Sequence, residues 1–97
     1  MTDAGGKDVV LTRDFEILNQ YGIHARPAAM LAKAASRFDA EITIEKDGTA
    51  VSGKSIMALM TLEASRGSLL KVTVEGPDAE ELLDEVAALI GSKFDED

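Results

Sequence analysis

The 97-residue sequence contains no cysteine and a single histidine. The lack of cysteine excludes disulfide bonds and thiolate metal sites, and it suits a protein held in a reducing compartment. One histidine supplies too few ligands for an ordinary zinc site. We therefore expect neither a metal nor a cofactor.

Long apolar runs and an excess of basic residues are also missing. No stretch is long enough to cross a bilayer, and the polar residues 1–7 do not resemble a signal peptide. Ten Lys and Arg residues against eighteen Asp and Glu residues give a net charge of -8. That charge argues against nucleic acid or an anionic membrane as the main partner. We expect a soluble cytoplasmic protein without membrane insertion.

The charge that is present is unevenly distributed along the chain. Residues 77–97 hold eight acidic residues and one lysine, whereas the region around the histidine contains four cations, Arg26, Lys33, Arg37 and Lys54. This asymmetry favours a basic patch that meets an acidic partner.

The length suits one domain over residues 1–97, with residues 1–8 as a loose lead-in and residues 95–97 as an acidic, solvated tail. A fold-back of Phe94 remains open. Hydrophobic periodicity predicts strands at residues 12–18, 41–45, 49–52 and 69–75, and helices at about 26–38, 56–62 and 79–90, with Gly91 as the stop of the last helix. Asp47 and Gly48 suit a tight hairpin between the middle strands. Asp78 and Glu81 have the spacing of a capping box for the last helix.

The predicted order β-α-β-β-α-β-α defines the fold class. Right-handed crossovers leave room for an antiparallel strand between two parallel ones. We predict an α+β fold, an open-faced β-sandwich in which a four-stranded antiparallel sheet carries three helices on one face.

The middle helix has more apolar residues than one buried stripe requires. If Leu59 and Leu62 face the core, Ile56, Met57 and Met60 lie toward the outside. Two interpretations remain open, a helix that is buried on most sides or an apolar contact patch suited to methionine.

The string Tyr21-Gly22-Ile23-His24-Ala25-Arg26-Pro27-Ala28 delivers the only histidine to a helix start. Pro27 is tolerated in a first turn, where unpaired N–H groups and the macrodipole favour anions. The positive end of the dipole favours a neutral imidazole with one nitrogen able to attack, and Arg26 offers a fork suited to phosphate. The plainer interpretation, that His24 is a surface cap or spectator, is weakened by this succession of residues.

Residues 53–57, Gly53-Lys54-Ser55-Ile56-Met57, form a second motif about thirty residues later. Ser55 is a natural N-cap for the middle helix. We expect this capping role.

Together the two motifs resemble the histidine-containing phosphocarrier family HPr of the bacterial phosphotransferase system, over about residues 12–94. The resemblance implies that enzyme I phosphorylates Nδ1 of His24 from phosphoenolpyruvate and that a IIA component receives the group. It also implies that Ala25 and Arg26 steady the phosphate and that a dedicated HPr kinase/phosphorylase acts on Ser55 in some bacteria. The implied docking face consists of Ile23, Ala29, Met30, Lys33, Ile56, Met57 and Met60.

Some residues depart from the sugar-transport branch of this family. Tyr21 stands where many members have asparagine, and Ala58 stands where many have lysine. Tyr21, the stretch Ile56-Met57-Ala58-Leu59-Met60 and the ending at residues 94–97 are more similar to the nitrogen-system paralogue NPr, and both branches remain open.

We expect a monomer that acts as a relay and substrate rather than as a stand-alone enzyme. Two other classes are weighed beside it. One is a purely regulatory binding module, which predicts that His24→Ala leaves partner binding intact. The other is a metal or acid-base enzyme, for which one histidine and no cysteine supply too few groups.

Overall fold

The computed structural model describes residues 9–96, so the predicted lead-in at residues 1–8 and the terminal Asp97 lie outside the described chain. Within residues 9–96, four strands and three helices follow in the predicted order, with a short 3-10 helix at the end. The strands are β1 (Val10–Glu16), β2 (Glu41–Lys46), β3 (Thr49–Ser52) and β4 (Leu69–Glu75). The helices are α1 (Ala25–Ser36), α2 (Ile56–Thr61) and α3 (Ala79–Gly91), and the 3-10 helix is Lys93–Asp95.

The sheet of the described chain has the strand order β1-β4-β2-β3, and each neighbouring pair is antiparallel. Because β4 is antiparallel to both of its neighbours, β1 and β2 run parallel on either side of it. This arrangement confirms the predicted fold class and the position of the last strand between two parallel ones.

Alternation along β4 separates the two faces of the sheet. Leu70, Val72 and Val74 are buried, whereas Lys71 and Glu75 are exposed on the opposite face. The helices pack on the apolar face. Ala28 and Ala35 of α1 are fully buried in the core, and their small side chains allow the helix to lie close to its neighbours.

α1 ends at Ser36, two residues before the predicted end, and α3 includes Gly91. Two further local predictions differ from the structure. β1 lies two residues nearer the N-terminus than predicted, because Ile17 leaves the strand and exchanges hydrogen bonds with the turn before β4, with Ser68 at 2.9 Å and Gly67 at 2.8 Å. The predicted capping box is wrong. The Asp78 side chain makes no capping bond to α3, because its Oδ2 accepts from the Asp39 N–H at 2.8 Å.

Candidate functional site

A tight turn that requires glycine leads the chain into α1. Gly22 has a φ of +67°, and a Cβ atom at this position would collide with the carbonyl oxygen of Ala64. The Ile23 N–H donates to the same oxygen at 2.8 Å. The turn is thus held against the loop after α2, and it sets the direction in which the following residue, His24, leaves the backbone.

His24 is the N-cap residue of α1. Its carbonyl oxygen accepts from the Ala28 N–H at 3.0 Å, and its side chain makes no capping bond. The N–H groups of Ala25 and Arg26 have no acceptor within the helix, and Pro27 has no N–H. The first turn of α1 contains no acidic residue. The positive end of the helix is therefore directed at the neighbourhood of the imidazole, where it would stabilise an anion.

The C-terminal segment folds back onto this helix start. Asp95 is exposed, but the prediction of a solvated tail is wrong for Glu96. Glu96 Oε2 lies 2.7 Å from His24 Nε2. The Glu96 side chain is 16% exposed, whereas that of His24 is 42% exposed. The tail thus covers one edge of the imidazole and leaves the rest of the ring accessible.

Two further side chains hold the tail in this position. The Asn19 amide nitrogen donates to Glu96 Oε1 at 3.0 Å and to the Gly22 carbonyl oxygen at 2.8 Å. The Arg26 guanidinium donates to the Phe94 carbonyl oxygen at 2.8 Å and lies 3.5 Å from Glu96 Oε2. Glu96 is therefore tied to the residue before the glycine turn and to the first turn of α1.

An unusual backbone turn brings Glu96 to this place. Lys93, Phe94 and Asp95 have φ values of 57°, 54° and 59°, three consecutive left-handed residues without a glycine among them. Each costs roughly 1–2 kcal/mol relative to ordinary backbone. Phe94, fully buried in the core, offsets that cost by removing its ring from water.

The electrostatic surroundings of Glu96 favour its ionised form. The hydrogen bond from Asn19 lowers the pKa of Glu96 below its ordinary value, burial acts in the opposite direction, and the hydrogen bond and charge of His24 and the charge of Arg26 lower it further. A carboxylate is therefore present beside the ring at neutral pH.

Sequence reasoning missed both Asn19 and Glu96 as site residues. Asn19 directly follows the predicted strand at residues 12–18, and it is fully buried. A buried asparagine usually exists to satisfy neighbouring polar groups, and its place just before the glycine turn is a signal that could have been used. For Glu96 the signal is Phe94, a large apolar residue within an acidic ending, because such a side chain favours return to the core.

The second motif supplies an exposed apolar patch at α2. Leu59 and Leu62 are buried, whereas Met57 is 79% exposed and Ile56 and Met60 are each 42% exposed. The structure thereby favours the contact-patch interpretation of α2 over a helix buried on most sides. Ser55 caps α2 as predicted, and its hydroxyl accepts from the Ala58 N–H at 3.1 Å.

The remaining docking residues fall in different places. Ile23 is 6% exposed and belongs to the core, so the prediction that it lines a docking surface is wrong. Ala29 is half-buried on α1. Met30 and Lys33 line a groove of about 240 Å³ between α1 and α3. These two residues therefore lie where α1 faces α3.

Besides Arg26, which lies 3.5 Å from Glu96, two more of the four cations predicted near the histidine pair with the protein's own acids. Arg37 lies 3.2 Å from Glu85, and Lys54 lies 3.6 Å from Glu41. These exposed pairs contribute little stability, about 0–1 kcal/mol each. They do reduce the net positive charge that the predicted basic patch presents.

The described residues contain no group of three or more His, Asp or Glu side chains placed to hold a metal ion. In the same range, no helix combines the length and apolar character needed to span a membrane.

An open-faced α+β sandwich with an accessible histidine at a helix N-terminus defines a small protein of the histidine phosphocarrier class. The family model described as the PTS HPr component phosphorylation site matches residues 11–92. The chain belongs to the HPr family of the phosphotransferase system, as the sequence resemblance predicted.

Relatives from both branches of the family are similar to this chain. The phosphocarrier protein HPr of Treponema pallidum is 42% identical over 88 residues, 91% of this chain and 100% of that protein. The phosphocarrier protein NPr of Escherichia coli K12 is 43% identical over 83 residues, 84% of this chain and 92% of that protein. The crystal structure of HPr-C-His from Thermoanaerobacter tengcongensis superimposes with a TM-score of 0.86 at 44% identity, covering 90% of this chain and 98% of that one.

Proposed function

We propose that His24 is the residue that carries the phosphoryl group, received from enzyme I at the expense of phosphoenolpyruvate and passed to a IIA protein. Family membership supports a phosphocarrier role with phosphotransferase partners in general. The single observation that carries the assignment is the position of His24 at the open N-terminus of α1, with its ring accessible and Arg26 two residues away.

The proposed chemistry needs positioning and charge more than acid-base catalysis. A neutral imidazole already has a lone pair, so its nitrogen can attack the phosphorus of a phosphohistidine on enzyme I. The bond between that phosphorus and the enzyme I ring nitrogen breaks, and its electron pair returns to the enzyme I ring. The Ala25 and Arg26 N–H groups and the helix dipole stabilise the arriving negative charge. Arg26 donates one of its five guanidinium N–H groups to the Phe94 carbonyl oxygen, and the others can reach phosphate oxygens.

Partner docking is assigned to the exposed patch of Ile56, Met57 and Met60, extended by Ala29, Met30 and Lys33 on α1. Exposed methionine side chains adapt to different partner surfaces, which suits a carrier that must bind both a donor and an acceptor. One copy of the chain supplies every site residue, so we propose that it acts as a monomer. Phosphoenolpyruvate is made in the cytoplasm, and the proposed reaction belongs there.

Ser55 is proposed as a regulatory phosphorylation site for an HPr kinase/phosphorylase. It begins α2 directly before the exposed Ile56 and Met57, so a phosphate on its hydroxyl would add charge at the edge of the docking patch. The helix itself would tolerate that charge, because a helix N-terminus favours anions.

The test of the proposed function is intact mass after incubation with phosphoenolpyruvate, magnesium and enzyme I. We expect a gain of one phosphoryl group that mild acid removes, because phosphoimidazole is labile once its ring is protonated. His24→Ala should gain nothing, whereas Ser55→Ala, which removes the other proposed acceptor, should gain the group as the parent does.

Enzyme I proteins of the sugar and nitrogen systems are run as parallel arms, and the arm with the faster transfer assigns the branch. Absence of transfer from both, with partner binding unchanged in His24→Ala, would contradict the carrier assignment and support the regulatory-module alternative.

A further inference from the structure

The Glu96 contact with His24 engages only one of the two ring nitrogens. A carboxylate accepts hydrogen bonds and donates none, so at 2.7 Å from Oε2 the Nε2 atom must carry a hydrogen. A neutral imidazole holds one N–H, and its lone pair then lies on Nδ1. We propose that Glu96 is a positioning residue that fixes the Nε2–H tautomer of His24 and thereby leaves Nδ1 as the nucleophile, an inference that rests on the proposed phosphocarrier function.

The surroundings of Glu96 give this contact a defined direction. Asn19 is fully buried, and its amide nitrogen donates a hydrogen bond to Glu96 Oε1 at 3.0 Å. Oε2 is therefore the oxygen that faces the His24 ring. The same amide nitrogen also holds the Gly22 carbonyl at 2.8 Å, which ties the carboxylate to the turn that aims His24. The tail is held independently by the burial of Phe94 and by the Arg26 bond to its carbonyl oxygen.

The strained turn strengthens the inference. Three consecutive left-handed residues, Lys93 to Asp95, cost free energy that an ordinary solvated tail would avoid. The conformation that they adopt brings the carboxylate of Glu96 to the imidazole. A histidine oriented by a carboxylate through its second nitrogen is a recurrent arrangement where the first nitrogen must bind an electrophile.

The contact also suits the phosphorylated state. When Nδ1 of His24 forms its bond to phosphorus, the ring nitrogen of enzyme I takes back the electron pair of the bond that breaks. No proton leaves the His24 ring. The product carries phosphate on Nδ1 and hydrogen on Nε2, so positive charge develops on the ring beside the Glu96 carboxylate. Because that charge grows during transfer, the attraction is stronger in the product than in the starting ring.

Glu96→Gln is the informative substitution because glutamine cannot satisfy both neighbours. If its oxygen accepts from the Asn19 amide, its NH₂ group faces Nε2 and can donate only to an unprotonated nitrogen, which favours the Nδ1–H tautomer. If its oxygen faces His24, two donors meet at Asn19. The matched control is Asp95→Asn, which removes an exposed carboxylate from the same tail.

The experiment reads the tautomer directly, by ¹⁵N NMR of the imidazole at a pH high enough for a neutral ring. We expect the parent and Asp95→Asn to show Nε2–H, and Glu96→Gln to shift toward Nδ1–H. Transfer from enzyme I at saturating concentration should fall about tenfold in Glu96→Gln, as for other carboxylates that orient a histidine, while its KM for enzyme I stays unchanged.

An unchanged tautomer in Glu96→Gln, or transfer at the parent's rate or faster, would overturn the inference, and faster transfer would mean that Glu96 shields the ring from the incoming phosphate. The NMR measurement needs no enzyme I. If neither parent nor control accepts phosphate while the tautomer still depends on Glu96, the proposed function fails and the assignment of Glu96 as the residue that fixes the tautomer stands.

Discussion

At the scale of single residues, the environment of Glu96 determines which conditions preserve the site. Its carboxylate receives a hydrogen bond from Asn19 and faces His24 and Arg26, and these partners stabilise the charged form more than the protonated one. The pKa of Glu96 lies below its ordinary value as a result, despite the opposing effect of burial. Folding and ionisation of this side chain are therefore linked.

This linkage gives a pH-dependent prediction. A carboxylate with a lowered pKa in the folded state stabilises the fold above its unfolded pKa of about 4.3, and the contribution is lost as the pH falls through the folded value. The free energy of unfolding of the parent should exceed that of Glu96→Gln above about pH 5, and the difference should shrink on acidification. Urea denaturation at a series of pH values measures it.

The control for general charge loss in this series is Asp95→Asn. A difference between parent and Glu96→Gln that stays constant from about pH 7 to about pH 3 would contradict the linkage. It would mean that the folded state does not favour the ionised form of Glu96.

The same scale shows what a sequence can and cannot predict about a site. His24 and Arg26 are close in sequence, so their relation follows from helix geometry alone. Asn19 and Glu96 are 77 residues apart, and their hydrogen bond depends on where α3 ends and how the chain turns afterwards. A long-range polar contact of this kind leaves no local pattern, although Phe94 indicates that the chain returns to the core.

At the scale of elements, the interiors of the strands and helices match the predictions from hydrophobic periodicity, whereas several of their ends do not. β4 alternates as predicted because one face must be buried, and the residues of β3 match the prediction. The Asp78 prediction failed because a carboxylate near a helix start has several donors within reach, and here the Asp39 N–H was the one that it bound. The left-handed turn after α3 has no sequence signature, since none of its three residues is glycine.

Substitution of Phe94 tests whether burial holds that turn in place. Phe→Ala in a core costs about 3–5 kcal/mol, but release of the tail also relieves a strain of roughly 1–2 kcal/mol per left-handed residue. For three such residues the relief is about 3–6 kcal/mol, similar in size to the cost of losing the ring, so we expect Phe94→Ala to lower the free energy of unfolding by no more than about 2 kcal/mol. It should also detach Glu96, so that the His24 tautomer resembles that of Glu96→Gln.

Denaturation and ¹⁵N NMR together check this prediction, with Met57→Ala as the control at an exposed apolar side chain, where a change within about 0.5 kcal/mol is expected. If Phe94→Ala keeps the parent's tautomer and its stability changes no more than that of Met57→Ala, the tail is held by something other than the Phe94 ring.

At the scale of the whole molecule, the fold separates the tasks of carrying and docking. The turn at Gly22 and the tail fix the imidazole, while α2 presents Ile56, Met57 and Met60 to solvent. The two regions meet because α1 packs on α2 and because Ala64, just after α2, accepts the Ile23 N–H. Under the proposed function, a partner bound to the exposed patch would approach the imidazole from this junction, and the docking surface would position a reaction that the carrier does not catalyse alone.

The position of Ser55 between these regions leads to the last prediction. Ser55→Asp should slow phosphoryl transfer from enzyme I, because a negative charge at the start of α2 repels the acidic partner surface that the cations of α1 favour. Aspartate also caps helices, so the free energy of unfolding should stay within about 0.5 kcal/mol of the parent's, and slower transfer would then report docking rather than folding. Added salt should narrow the difference in rate, because charges more than about 8–10 Å apart are screened at physiological ionic strength.

Thr49→Asp places the same charge opposite Lys46 at the hairpin end of β3 and should transfer at the parent's rate. Equal rates for Ser55→Asp, Thr49→Asp and the parent would show that charge at the start of α2 does not control docking.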